Sequence, residues 1–119
     1  MSNQDFTFEF VNEVENLGEA LDERLYSEAE TRLRKLQKGH TDLIGAAVSL
    51  EQPAKAQTDF VYRARVVVYI RPENMAAAAE AGDPLGALKQ ALSGVERQVR
   101  ERREKLRQRS RQTEERGAG

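Results

Sequence analysis

Lys89, Arg97, Arg100, Arg103, Arg107 and Arg111 stand near the end of the chain at a spacing that can do chemistry together. On a helical wheel at about 100° per residue they fall within an arc of about 120°. Cations repeated at helical pitch suit the phosphates of a nucleic-acid backbone, because each neutralised phosphate releases counterions and makes affinity fall steeply with salt. Glu96 and Glu104 interrupt the ridge. Composition alone therefore favours a plainer alternative, a solvated helix laced by Glu96–Arg100 and Glu101–Lys105 pairs, each worth only about 0.2–0.5 kcal/mol.

Other chemistry is poorly supplied. The chain has no cysteine and one histidine, His40, which excludes disulfides, thiolate metal sites and Cys nucleophiles and leaves little for His-based catalysis or metal binding. His40 follows Gly39 and reads as a helix-end or loop residue. There is no Gly-rich phosphate loop, nucleophile elbow or paired-His zinc motif, so neither an enzyme nor a cofactor or small-molecule substrate is expected. Tyr69 with Arg63, Arg65 and Arg71 offers a thin second surface for RNA, better read as a solvated strand.

The formal net charge of −1, from 19 Lys+Arg and 20 Asp+Glu, hides an uneven distribution. Residues 1–31 carry nine acids and one base, Arg24, whereas residues 93–111 carry eight bases and three acids. Such asymmetry marks opposed surfaces better than the total does.

The elements that must position these charges follow from periodicity. Phe6 to Val11 alternates as a strand, with Phe6, Phe8 and Phe10 toward a core. Leu17, Leu21, Leu25, Ala29, Leu33 and Leu36 give the stripe of a helix over 17–38, stopped by Gly39. Leu43 to Glu51 reads as a strand with Ile44, Ala46, Val48 and Leu50 on one face, and a polar turn from Gln52 to Gln57 implies a hairpin. In the strand Phe60 to Arg71, Phe60, Tyr62, Ala64, Val66, Val68 and Ile70 share the apolar face. Alanine-rich Met75–Ala81, caught between Pro72 and Gly82-Asp83-Pro84, is too short for a stable helix and is assigned as a fourth strand. Asp83-Pro84 starts a helix of about 25 residues. Its stripe is Leu85, Leu88, Leu92, Val95, Val99 and Leu106, and it outruns the core where Arg102 and Arg103 replace apolar residues.

The expected architecture is α+β, in the order β-α-β-β-β-α, a four-stranded sheet with two helices packed on one face. One domain over 1–109 and a disordered tail over 110–119 complete it. With 39% hydrophobic residues, no signal peptide and no apolar run long enough to span a bilayer, the protein is expected to be soluble and cytoplasmic.

Two segments carry a resemblance. Gly82-Asp83-Pro84-Leu85-Gly86-Ala87-Leu88-Lys89, followed by Glu96-Arg97-Gln98-Val99-Arg100-Glu101-Arg102-Arg103-Glu104-Lys105-Leu106, and separately Arg32-Leu33-Arg34-Lys35-Leu36, are similar to the bacterial ribosome hibernation-promoting factors and ribosome-associated inhibitors, also called sigma-54 modulation proteins. The resemblance implies a translation regulator seated in the small-subunit channel for mRNA and tRNA, keeping idle ribosomes inactive and protected. Carried over by position, it implies rRNA phosphate contacts from Arg32, Lys35, Arg97, Arg103 and Lys105, to which the helical ridge adds Arg100 and Arg107. Gly94 and Glu101 stand where such proteins often have lysine, Leu85 replaces a frequent tyrosine, and the domain by which longer members dimerise is not expected here. The partner implied is the small ribosomal subunit and its rRNA. The competing functions are a charge-asymmetric protein-interaction module and a generic double-stranded RNA binder.

Overall fold

The computed structural model describes residues 6–15, 17–53, 61–71 and 73–118, with side chains as far as 109. The elements are β1 (Thr7–Asn12), α1 (Glu19–Gln37), β2 (Leu43–Glu51), β3 (Tyr62–Ile70), β4 (Met75–Ala81) and α2 (Pro84–Ala118). This is the order expected, including the alanine-rich fourth strand.

One sheet runs β1-β2-β3-β4. β1 lies parallel to β2 along Thr7↔Gly45 to Asn12↔Leu50, so α1 is the crossover between them. β2/β3 and β3/β4 are antiparallel. Both helices cover the same face, where Leu25, Leu33 and Leu36 of α1 and Leu88, Leu92, Val95 and Val99 of α2 bury against Val48, Leu50, Val66 and Val68. Phe6 is buried, while Phe8 and Phe10 are half-buried and meet the Tyr26 ring edge-on at 5.2 and 5.5 Å. Gly39, at φ 77°, takes the left-handed turn that ends α1, and His40 donates its backbone N–H to the Gln37 carbonyl at 2.9 Å.

Two expectations need correction. Ile44 does not face the core: the register against β3 slips between Leu43 and Gly45, so Leu43 is buried and Ile44 is 39% exposed. A bulge inserts a residue that period-two counting cannot see. α2 is 35 residues long, ending at Ala118, and so outruns the expected length of about 25 residues. The added turns hold Arg, Gln and Glu, strong helix formers that extend an existing helix without paying for nucleation. Phe60 and most of the hairpin turn lie outside the described residues. Among those described, no helix is long and apolar enough to cross a membrane.

The start and seating of α2 fix where its later turns point. Asp83 caps the helix, its Oδ2 accepting the Gly86 N–H at 2.8 Å. Asp83→Ala should cost about 1 kcal/mol, read as a lower urea midpoint with unchanged slope. Gly94 lets α2 lie unusually close to β4, since a Cβ there would stand 2.9 Å from the Ala77 Cβ. Gly94→Leu should overpack the contact and destabilise by about 1–3 kcal/mol in the same assay.

Candidate nucleic-acid interface

The C-terminal half of α1 and the middle of α2 lie side by side and enclose a groove of about 530 Å³. Two arginine–carboxylate forks fix the spacing of its walls. Arg32 of α1 donates to Glu96 of α2 from Nε at 2.9 Å and Nη2 at 2.7 Å, and reaches Ser93 Oγ at 3.1 Å. Arg103 of α2 donates to Asp42, just before β2, from Nε at 2.9 Å and Nη2 at 2.8 Å, and from Nη1 to the Leu36 carbonyl at 3.1 Å. Both are bidentate, the strong geometry for a guanidinium and a carboxylate. The side chains are largely sheltered, at 24% and 14% exposure for Arg32 and Glu96 and 14% and 29% for Arg103 and Asp42.

The electrostatics follow the geometry. Hydrogen bonding from Arg103 holds the Asp42 carboxyl below its ordinary value, against the opposing effect of burial. Hydrogen bonding to Glu96 raises Arg32 in the same way, again opposed by burial. Glu96 therefore does not form the expected pair with Arg100 on its own helix. A sheltered partner across the helix interface outcompetes a solvated one four residues away. The expected Glu101–Lys105 pair is likewise absent among the described residues.

With Arg32 and Arg103 engaged, the uncommitted charge belongs to other residues of the groove. Lys35 and Arg100 line it and have no ion-pair partner among the described residues. Arg107 lines it too and shares only an exposed pair with Glu104 at 2.8 Å, a contact worth about 0–1 kcal/mol. These cations come together because α2 places residues 96, 100, 103 and 107 on one stripe facing α1.

Of the remaining candidates, Arg97 is exposed on α2 but does not line the groove, and Lys105 lies on the opposite flank beside Glu101 and Arg102. Arg102 turns the same way, donating to the Arg71 carbonyl at 3.1 Å. The Arg111 side chain lies outside the described residues. The open face of the sheet is less suited to RNA: Arg63 is held between Glu51 and Glu80 at 3.1 and 2.7 Å, and the Tyr69 ring closes over Gly45.

Sequence reasoning missed Asp42, which no periodicity connects to Arg103 across 61 positions. It counted Leu106 in the apolar stripe, beyond the point at Arg102 and Arg103 where the helix was expected to outrun the core. The structure leaves Leu106 46% exposed in the groove, because Leu36 is the last core residue of α1 beneath it and the sheet ends before that turn of α2. The interruption by Arg102 and Arg103 was the available signal.

Fold and groove together define a small α+β protein with a cationic trough between its two helices. Residues 15–107 match the family described as sigma 54 modulation protein / S30EA ribosomal protein, and the chain belongs to that family. The match spans α1 to the groove-lining turns of α2 and leaves β1 outside it. Among solved structures, the chain is similar to a ribosomal subunit interface protein from Coxiella burnetii, with TM-score 0.61 and 13% identity over 82% of this chain and 97% of that one. It is also similar to the N-terminal domain of Protein Y from Thermus thermophilus, with TM-score 0.57 and 21% identity over 76% and 91% of the respective chains. At these identities the likeness supports the fold. No curated protein matches the sequence.

Proposed function

We propose that the protein is a ribosome-associated translation regulator that binds the small subunit in its mRNA and tRNA channel and keeps idle ribosomes inactive and protected. The observation that carries this is the groove itself: Lys35, Arg100 and Arg107 converge there without strong carboxylate partners, inside the segment that matches a ribosomal protein family. Cations in a concave trough, unpaired or only weakly paired at the surface, attract a polyanion, and the family supplies one. In this reading Lys35, Arg100 and Arg107 meet rRNA phosphates directly. Arg32 and Arg103 set the shape of the trough and add to its field, while Arg97 and Lys105 serve its flanks. The site is cytoplasmic because the partner is.

The strand β1 argues against a generic double-stranded RNA binder, whose usual core order lacks it; here it pairs with six residues of β2. The test is sedimentation with ribosomes through gradients of rising salt. Co-sedimentation at low salt, lost progressively as salt rises, is the expected result. Protein that stays at the top of a low-salt gradient removes the proposal. The channel assignment has its own test, since small subunits already carrying mRNA and initiator tRNA should exclude the protein.

A further inference from the structure

A trough that needed only to meet phosphates would need only charge. This one has an apolar floor, made by Leu36 and the half-exposed Leu106, beneath the cations Lys35, Arg100 and Arg107. Leu106 thus offers apolar area inside the groove that a ligand with an apolar face would cover favourably. The groove's volume, about 530 Å³, is that of a small-ligand site, not of a flat contact. A flat apolar face joined to a phosphate describes a nucleotide.

We infer that the groove takes a single unstacked nucleotide, its base laid over Leu36 and Leu106 and its phosphate held by Lys35, Arg100 and Arg107. The inference rests on the reading of the groove as an RNA interface and sharpens it from backbone contact to base insertion. Guanidinium planes suit this, because Arg100 and Arg107 can stack on a base as well as pair with a phosphate. The forks Arg32–Glu96 and Arg103–Asp42 hold the walls apart, so the space exists before the nucleotide arrives. The nucleotide has two sources, an unpaired position in RNA or a free nucleotide in solution.

The discriminating variant is Leu106→Lys, which adds positive charge while removing the floor; the exposure of Leu106 makes the fold tolerant of it, which a thermal melt checks. The probes are a hexaribonucleotide carrying one 2-aminopurine, the same strand in a duplex, and 2-aminopurine riboside monophosphate. The wild type should bind the single strand at least about tenfold more tightly than the duplex, with fluorescence rising as the base leaves its stack. Leu106→Lys should lose about tenfold on the single strand and nothing on the duplex. Equal affinity for strand and duplex, or a variant that binds the strand as well as or better than the wild type, overturns the inference. Monophosphate affinity matching that of the strand assigns the groove to free nucleotides; much weaker monophosphate binding assigns it to RNA. Sedimentation of the wild type with ribosomes is scored separately, so failure there removes the ribosomal reading and leaves the nucleotide result standing on its own.

Discussion

Reversing Lys35, Arg100 and Arg107 together to glutamate should lower ribosome affinity by at least about a hundredfold at low salt and flatten its salt dependence by about three phosphate contacts. The magnitude follows from charge without structural cost. All three side chains are exposed, and among the described residues only Arg107 has a carboxylate partner, on its own helix. The variant should therefore melt where the wild type does, which makes loss of co-sedimentation attributable to the groove. The same reversal at Lys89, exposed near the start of α2 and away from the groove, should change affinity little. Equal losses at both places would reduce the groove to a general effect of net charge.

Asp42→Ala should be the most destabilising single change among the charged residues, by about 2–3 kcal/mol in urea unfolding. It strands a guanidinium that is only 14% exposed, and the partial exposure of Asp42 keeps the loss below that of a fully buried pair. Arg103→Leu in the same chain should restore much of the stability, because an unpaired buried charge costs more than an apolar replacement. A pH dependence accompanies the pair. The carboxyl is depressed in the folded protein and ordinary, near about 3.9, in the unfolded chain. Its contribution is thus fully present above the ordinary value and is lost as pH falls through the folded one. Between pH 7 and pH 3 the wild type should lose more stability than Asp42→Ala, by urea midpoints at both pH values. Parallel losses would show that Asp42 contributes nothing to the acid limb.

The elements were legible wherever burial imposes a period. Val66, Val68 and Ile70 alternate against Arg65, Val67 and Tyr69, and Leu25, Ala29, Leu33 and Leu36 repeat at helical spacing, so strand and helix followed from residue order. Met75–Ala81 followed from its Pro and Gly-Asp-Pro brackets and not from propensity, since alanine favours a helix. The slip at Leu43 and Gly45 was hidden because a bulge depends on how β3 pairs, which is not a property of β2. The site divided along the same line. The basic stripe of α2 was visible as a stripe, and the family resemblance added the end of α1. Which arginines are engaged was not visible, because Glu96 and Asp42 lie 64 and 61 positions from their partners. Arg32 and Arg103, conspicuous in sequence, are the two engaged by Glu96 and Asp42.

The acidity of α1 has a consequence for encounter. Its first turn carries Glu19 and Asp22 and its last turn Arg34 and Lys35, across 19 residues or about 28 Å. Separated charges of opposite sign on one rigid rod experience a torque in the field of any polyanion. The acidic end swings away and the mouth of the trough swings toward the phosphates before contact is made. On the proposed function, a molecule of net charge −1 would thus approach RNA productively, with the acids rejecting backward orientations that a uniformly basic protein would have to unbind and repeat.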